Sequence, residues 1–132
     1  MAALYSEIIL DHFRNPRNYG SLPSPDISHE DVNPLCGDRI RIELKISCGV
    51  VEAARFKGDG CAISLAAASI LTELILGADV TQGDPVSPDQ LLSSLASDIK
   101  PARIKCALLP LQALRSGIRL YNQGNSPMDP ET

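Results

Sequence analysis

The sequence contains no tryptophan, and aromatic residues make up only 4% of its 132 residues. Leu, Ile, Val and Ala must therefore fill the core, and the 44% hydrophobic content supplies them. No apolar run is long enough to cross a bilayer, because polar residues interrupt the longest one, residues 65–76. The first eleven residues lack the basic start and cleavage site of a signal peptide, so we expect a cytoplasmic protein without a membrane partner.

An excess of basic residues is also missing, since the formal net charge is -4. Binding to nucleic acid needs clustered Lys and Arg that displace counterions from phosphates. The two short basic stretches, residues 39–45 and 103–105, do not supply such a cluster, because Glu43 interrupts the first and the second is short. We therefore expect no nucleic-acid partner.

Closely paired cysteines are the third absence. The chain has four cysteines but no Cys-x-x-Cys pair, which argues against a zinc ribbon and against a disulfide oxidoreductase. In a reducing compartment, isolated cysteines are more often metal ligands, nucleophiles or buried residues than disulfide partners.

Hydrophobic periodicity predicts a β-hairpin between helical segments. Residues 39–47 alternate strictly between apolar and polar side chains, and residues 50–56 supply a return strand, so the pair forms an antiparallel hairpin. Before it, residues 4–15 carry a helical stripe that Pro16 ends, and residues 15–31 are predicted to be irregular.

Helices are predicted after the hairpin. They cover residues 61–76, 88–96 and 101–121. Pro110 lies deep in the last of them, and it predicts either a kink or an irregular start before residue 110. Residues 122–132 are predicted to form a flexible tail, so that residues 1–121 form a single domain.

Three of the four cysteines share a setting suited to metal binding or reactivity. Cys36 and Cys61 each lie beside glycines that let backbone approach an ion, and Cys61 is placed at a predicted helix N-terminus, which favours a thiolate. Arg103 and Lys105 precede Cys106 and would favour its thiolate as well. Cys48 lies in the hairpin turn, and we assign it no chemical role.

Asp38 follows Cys36 by two residues and adds a hard oxygen to the three sulfurs. Three thiolates and one carboxylate suit tetrahedral zinc or iron with one exchangeable ligand. From the residues alone, metal ligation and buried structural thiols are equally open readings. His12 and His29 are distant in sequence, and we do not count them as ligands.

The motifs around these residues resemble the U-type iron-sulfur assembly proteins, the family of IscU, SufU and the N-terminal domain of NifU. The resemblance covers about residues 4–121. It rests on Tyr5 with Asp11-His12-Phe13-Arg14-Asn15-Pro16-Arg17-Asn18-Tyr19-Gly20, Asn33-Pro34-Leu35-Cys36-Gly37-Asp38, Gly58-Asp59-Gly60-Cys61-Ala62-Ile63-Ser64 and Lys105-Cys106. It implies an α+β fold in which a small three-stranded antiparallel sheet packs against helices, with the three cysteines at one exposed end.

The resemblance also implies a function. It predicts an iron-sulfur cluster assembly scaffold that receives sulfur from a cysteine desulfurase and passes its product to recipient apoproteins, as a monomer or dimer. Cys36 and Cys106 are the candidate sulfur acceptors. A labile [2Fe-2S] cluster or Zn²⁺ would be held by Cys36, Asp38, Cys61 and Cys106.

Two features bear on the branch of the family. Lys105 stands where the IscU branch has histidine, as in SufU-like members, and residues 99–103 lack the Leu-Pro-Pro-Val-Lys chaperone motif of IscU. The spacing between Cys61 and Cys106 is nevertheless compact, as in IscU. A zinc-dependent sulfurtransferase of the SufU type is therefore the alternative function, and it is the one that would make the protein an enzyme. A zinc-stabilised binding module without transfer chemistry is a third reading.

Overall fold

The computed structural model describes residues 6–96 and 98–124, which form four helices and three strands of an α+β fold. The elements are α1 (Glu7–Arg14), β1 (Ile27–Val32), β2 (Arg39–Ser47), β3 (Val50–Asp59), α2 (Ala62–Leu74), α3 (Pro88–Ser94) and α4 (Pro101–Gly124). None of the helices within this part of the chain is both long and apolar enough to span a membrane.

The sheet is antiparallel with the order β1-β2-β3. Ile40, Ile42 and Leu44 alternate along β2 and are fully buried, so the predicted hairpin is confirmed. Phe56 pairs with Ile42 across the hairpin and is buried on the same face. Helices α2 and α4 pack against the sheet and against each other, and the described residues share one aliphatic core.

Strand β1 lies partly in the segment predicted to be irregular, so that prediction is wrong for residues 27–31. The strand has only two apolar residues, Ile27 and Val32, and gives almost no periodic signal. It forms because β2 offers it a pairing edge, with Ile27 opposite Leu44 and Asp31 opposite Ile40. The third strand implied by the family resemblance is thus confirmed.

Helix α1 begins at Glu7, because Ser6 is its N-cap and accepts a hydrogen bond from the backbone N–H of Ile9. Residues 1–5 lie outside the described part. Helix α2 begins directly after Cys61, which is its N-cap residue, as predicted. Gly77, with a φ of 82°, follows the end of α2 in the left-handed conformation that glycine adopts readily.

Helix α4 runs through Pro110 without interruption, so the alternative of an irregular start before residue 110 is wrong. The helix also continues three residues beyond the predicted boundary, through residues 122–124, which were assigned to the tail. Residues 125–132 lie outside the described part. Gly117 lets α4 approach the sheet closely, since a Cβ there would lie 2.8 Å from Cγ2 of Ile27.

Candidate metal centre

Three separate segments of the chain meet at one end of the sheet. Cys36 and Asp38 lie in the loop between β1 and β2, Cys61 follows β3, and Cys106 lies in the second turn of α4. Because Arg39 and Asp59 are paired in the antiparallel register, the start of β2 and the end of β3 are neighbours. The hairpin therefore brings residues 36–38 next to the N-terminus of α2.

The loop before β2 is held by hydrogen bonds around Asn33. Its backbone N–H donates to the carbonyl of Asp38 at 2.8 Å, and its own carbonyl accepts from the N–H of Gly37 at 2.7 Å. Its side-chain oxygen accepts from the N–H of Leu35 at 3.0 Å. Gly37 adopts a φ of 80°, which a residue with a Cβ adopts only with strain. These bonds fix the positions of Cys36 and Asp38 relative to the sheet.

The ligand atoms of Cys36, Asp38 and Cys106 all lie within 4.8 Å of one another. The sulfurs of Cys36 and Cys106 are 3.8 Å apart. Two sulfur ligands of one tetrahedral zinc ion are about 3.8 Å apart, given Zn–S bonds of about 2.3 Å. The spacing of these donors is therefore that of a site for a single zinc-sized ion.

Cys61 borders this trio, but its sulfur is not within 4.8 Å of all three ligand atoms. Its backbone N–H donates to Oδ2 of Asp38 at 3.4 Å, and its sulfur lies 3.8 Å from Oγ of Ser64. The structure thus brings three of the four predicted ligands together and places the fourth beside them, at the N-terminus of α2.

Asp38 is almost fully buried and well supplied with hydrogen-bond donors. Burial acts to raise the pKa of its carboxyl group. Hydrogen bonds from the Cys61 N–H, the Ser64 hydroxyl and the thiols of Cys61 and Cys36 outweigh burial and lower that pKa. The carboxylate is therefore ionised at neutral pH, the form in which it binds a metal ion.

The two thiols of the trio differ in their access to solvent. Cys36 is exposed, whereas Cys106 is 4% exposed. Burial, together with the neighbouring Cys61 and Cys36 thiols, raises the pKa of the Cys106 thiol to about 12. In the metal-free site Cys106 is therefore a thiol, and not the thiolate that its position after Arg103 and Lys105 predicted. Lys105 is exposed and lines a groove beside Leu35 and Leu108, so its charge does not offset the burial of the thiol.

The other residues considered as ligands lie elsewhere. Cys48 is exposed in the β2–β3 turn, with a φ of 53°, at the opposite end of the hairpin from Cys36. His12 is buried between α1 and α2, where its Nδ1 lies 2.7 Å from Oγ of Ser69. Within the described residues, the trio is the one group of histidine, cysteine and acidic side chains close enough to hold an ion.

One residue at the site, Ser64, received no role from the sequence. The hydroxyl of Ser64 donates to Oδ2 of Asp38 at 3.0 Å. Gly60 leaves room for this contact. Ser64 lies three residues after Cys61 and so on the same side of the first turn of α2, which was the available signal.

The model of the NifU-like N-terminal domain family matches residues 4–127. The chain belongs to this family. The match covers nearly all of the chain, and it includes all four predicted ligands of the NifU-like centre.

Among the relatives of this NifU-like chain is the zinc-dependent sulfurtransferase SufU of Bacillus subtilis. It is 38% identical, over 92% of this chain and 94% of that protein. The iron-sulfur cluster assembly scaffold protein IscU of Azotobacter vinelandii is 34% identical, over 89% of this chain and 93% of that protein. The crystal structure of the N-terminal part of a NifU-like protein from Brucella abortus superimposes with a TM-score of 0.74 at 21% identity, over 93% and 96% of the two chains. That likeness shows the shared fold.

Proposed function

We propose that this NifU-like protein is an iron-sulfur cluster assembly scaffold that receives sulfur from a cysteine desulfurase. It holds a metal ion or a labile [2Fe-2S] cluster on Cys36, Asp38 and Cys106, with Cys61 as the fourth ligand. The observation that carries the proposal is the convergence of two thiols and an ionised carboxylate within 4.8 Å. The IscU and SufU relatives support the same chemistry.

The donor set matches the proposed cargo. Thiolates are soft ligands that bind zinc and iron, while a carboxylate is a harder and weaker partner for either metal. A bound ion keeps the thiols as thiolates, which are the nucleophilic form of cysteine. The mixture of ligands supports a site that releases its cargo to recipient apoproteins.

We place the first sulfur acceptance at Cys36, because it is the exposed thiol of the trio. The Cys36 thiolate attacks the outer sulfur of the desulfurase persulfide and forms a new S–S bond. The S–S bond of the donor breaks, and the donor cysteine leaves as a thiolate that takes up a proton. Cys106, the other candidate acceptor, is buried and is therefore less accessible to a large partner than Cys36, whose sulfur lies 3.8 Å away.

A zinc-dependent sulfurtransferase is the second candidate function. Two observations favour a single zinc ion over a cluster. Three donors are close enough to share one ion, and Lys105 stands where the IscU branch has histidine. The 38% identical SufU relative supports the same candidate. In this case the sulfur on Cys36 is passed on without a cluster being built.

The two functions share a test of sulfur acceptance. Cys36→Ser should abolish the stimulation of a cysteine desulfurase by this protein, because the exposed acceptor is gone. Cys48→Ser is the matched control, since it removes an exposed thiol at the other end of the hairpin and should leave stimulation unchanged. Desulfurase turnover, measured as sulfide released under reducing conditions, reports the effect. Equal stimulation by wild type and Cys36→Ser would contradict the proposal.

Anaerobic reconstitution with iron, sulfide and the desulfurase separates the two functions. A scaffold should develop a labile visible chromophore that is transferred to an apo-ferredoxin. A sulfurtransferase should retain zinc, form no chromophore and still stimulate the desulfurase.

A further inference from the structure

The hydroxyl group of Ser64 lies beneath the carboxylate of Asp38. Ser64 is fully buried, and Asp38 is 6% exposed. Oγ of Ser64 is 3.0 Å from Oδ2 of Asp38, while the backbone N–H of Cys61 donates to the same oxygen at 3.4 Å. Both donors therefore act on the same carboxylate oxygen, Oδ2.

Gly60 keeps the space that this contact needs. A Cβ at Gly60 would lie 2.5 Å from Oγ of Ser64 and 2.9 Å from Cγ of Asp38. Both distances are shorter than a Cβ contact tolerates, so any side chain at residue 60 would push Ser64 and Asp38 apart. Unlike Gly37, Gly60 has no positive φ. Glycine is therefore needed at residue 60 because a side chain would not fit there.

The Ser64 hydroxyl also has a second acceptor within reach. The backbone carbonyl of Cys61 lies 3.1 Å from the same Oγ, in the first turn of α2. A hydroxyl has one proton, so it donates to the carboxylate or to the carbonyl. If Asp38 moves away, the Ser64 hydroxyl therefore keeps an acceptor, and loss of this contact does not leave it as an unpaired buried donor.

We propose that Ser64 is a positioning residue that holds the Asp38 carboxylate in its metal-binding orientation, with Gly60 keeping the necessary space. The inference rests on the proposed metal centre and deepens it, because it names what supports the oxygen ligand. The Ser64 hydroxyl holds Oδ2, which keeps the carboxylate beside the sulfurs of Cys36 and Cys106. The alternative acceptor lets Asp38 leave when cargo is released.

The first test is the affinity of the purified full chain for zinc, measured by competition with a chromogenic chelator. Ser64→Ala should weaken zinc binding about 10- to 100-fold, the usual effect of removing a group that orients a metal ligand. Ser69→Ala is the matched control. It also removes a fully buried hydroxyl from α2, but that hydroxyl contacts His12 and the backbone of Arg17 away from the metal donors. It should leave zinc affinity unchanged.

A double-mutant cycle distinguishes positioning from a general effect on folding. If Ser64 acts through Asp38, Ser64→Ala should have no further effect on zinc affinity once Asp38→Ala is present. The absorption spectrum of the cobalt-substituted protein gives a second readout. Ser64→Ala should shift the ligand-field bands toward those of Asp38→Ala, whereas Ser69→Ala should keep the wild-type spectrum.

Gly60→Ala tests the same contact from an exposed position, in case Ser64→Ala does not fold. It should weaken zinc binding to a similar extent. If Asp38→Ala binds zinc as tightly as the wild type, Asp38 is not a ligand. The ligand assignment and this inference would then both be overturned. Weaker binding by Asp38→Ala with unchanged binding by Ser64→Ala and Gly60→Ala would overturn the positioning role alone. Additive effects of Ser64→Ala and Asp38→Ala would also overturn it.

Discussion

The two thiols of the metal centre occupy opposite environments. Cys36 stands exposed on the loop before β2, and Cys106 is buried against the core on α4. An exposed thiol is accessible to a partner protein, whereas a buried thiol is held in place by its packing. The pair therefore combines a reactive ligand with an anchored one.

Zinc affinity should depend steeply on pH. The pKa of the Cys106 thiol is raised to about 12 without metal, chiefly by burial, so this thiol carries its proton at neutral pH. Zinc must displace that proton, and its apparent affinity should rise about tenfold per pH unit for each proton released. Chelator competition from pH 6.5 to 8.5 measures the slope. A flat profile over this range would show that Cys106 is already a thiolate or is not a ligand.

Single residues were predictable where chemistry and spacing agreed. The prediction that Cys36, Asp38 and Cys106 belong together depended on family motifs, because the residues lie far apart in the chain and their types alone do not set a distance. Ser64 was not assigned a role, since serine in a first helical turn has several ordinary uses. The effect of Lys105 was misjudged, because neighbours in sequence lie on different sides of a helix.

The helices and strands were predictable to the extent that the apolar residues of each segment recur with the period of a helix or a strand. The strict alternation in β2 correctly predicted a strand, and the small apolar residues of α2 correctly predicted a helix. Ser87 and Pro88 marked the start of α3. Strand β1 could not be predicted from periodicity, because apolar and polar residues alternate only weakly in its sequence. Its pairing with β2 specifies it instead. The loop after β1 nevertheless carries the first metal-binding residues.

Pro110 links helix α4 to the metal centre. A proline has no N–H, and its ring crowds the carbonyl four residues earlier, which here belongs to Cys106. Pro110→Ala should restore the missing hydrogen bond and stabilise the protein by roughly 1 to 3 kcal/mol. It should also weaken zinc binding severalfold, because the turn that carries Cys106 shifts.

Urea unfolding of the metal-free protein and chelator competition measure these two effects. Pro88→Ala is the control, since Pro88 is the first residue of α3, where proline costs no hydrogen bond, and α3 carries none of the proposed ligands. It should leave zinc affinity as in wild type. Unchanged zinc binding in Pro110→Ala would show that the proline does not set the position of Cys106.

Across the protein, the fold brings residues of distant sequence to one end of the sheet. The β2–β3 hairpin joins the loop before β2 to the start of α2, and the packing of α4 on both α2 and the sheet adds Cys106. Cys48 lies at the other end of the same hairpin, roughly 30 Å away for a nine-residue strand. The convergence of the ligands is therefore a product of topology, which local sequence patterns do not encode.

The most direct measurement of this convergence is X-ray absorption at the zinc edge of the metal-loaded full chain. We expect at least two sulfur ligands at about 2.3 Å together with an oxygen ligand at about 2.0 Å. Cys36→Ser and Cys106→Ser should each remove one sulfur, Asp38→Ala should change the oxygen shell, and Cys48→Ser should leave the spectrum unaltered. A protein that binds no zinc, or whose zinc spectrum is insensitive to both Cys36→Ser and Cys106→Ser, would contradict the assignment of the centre.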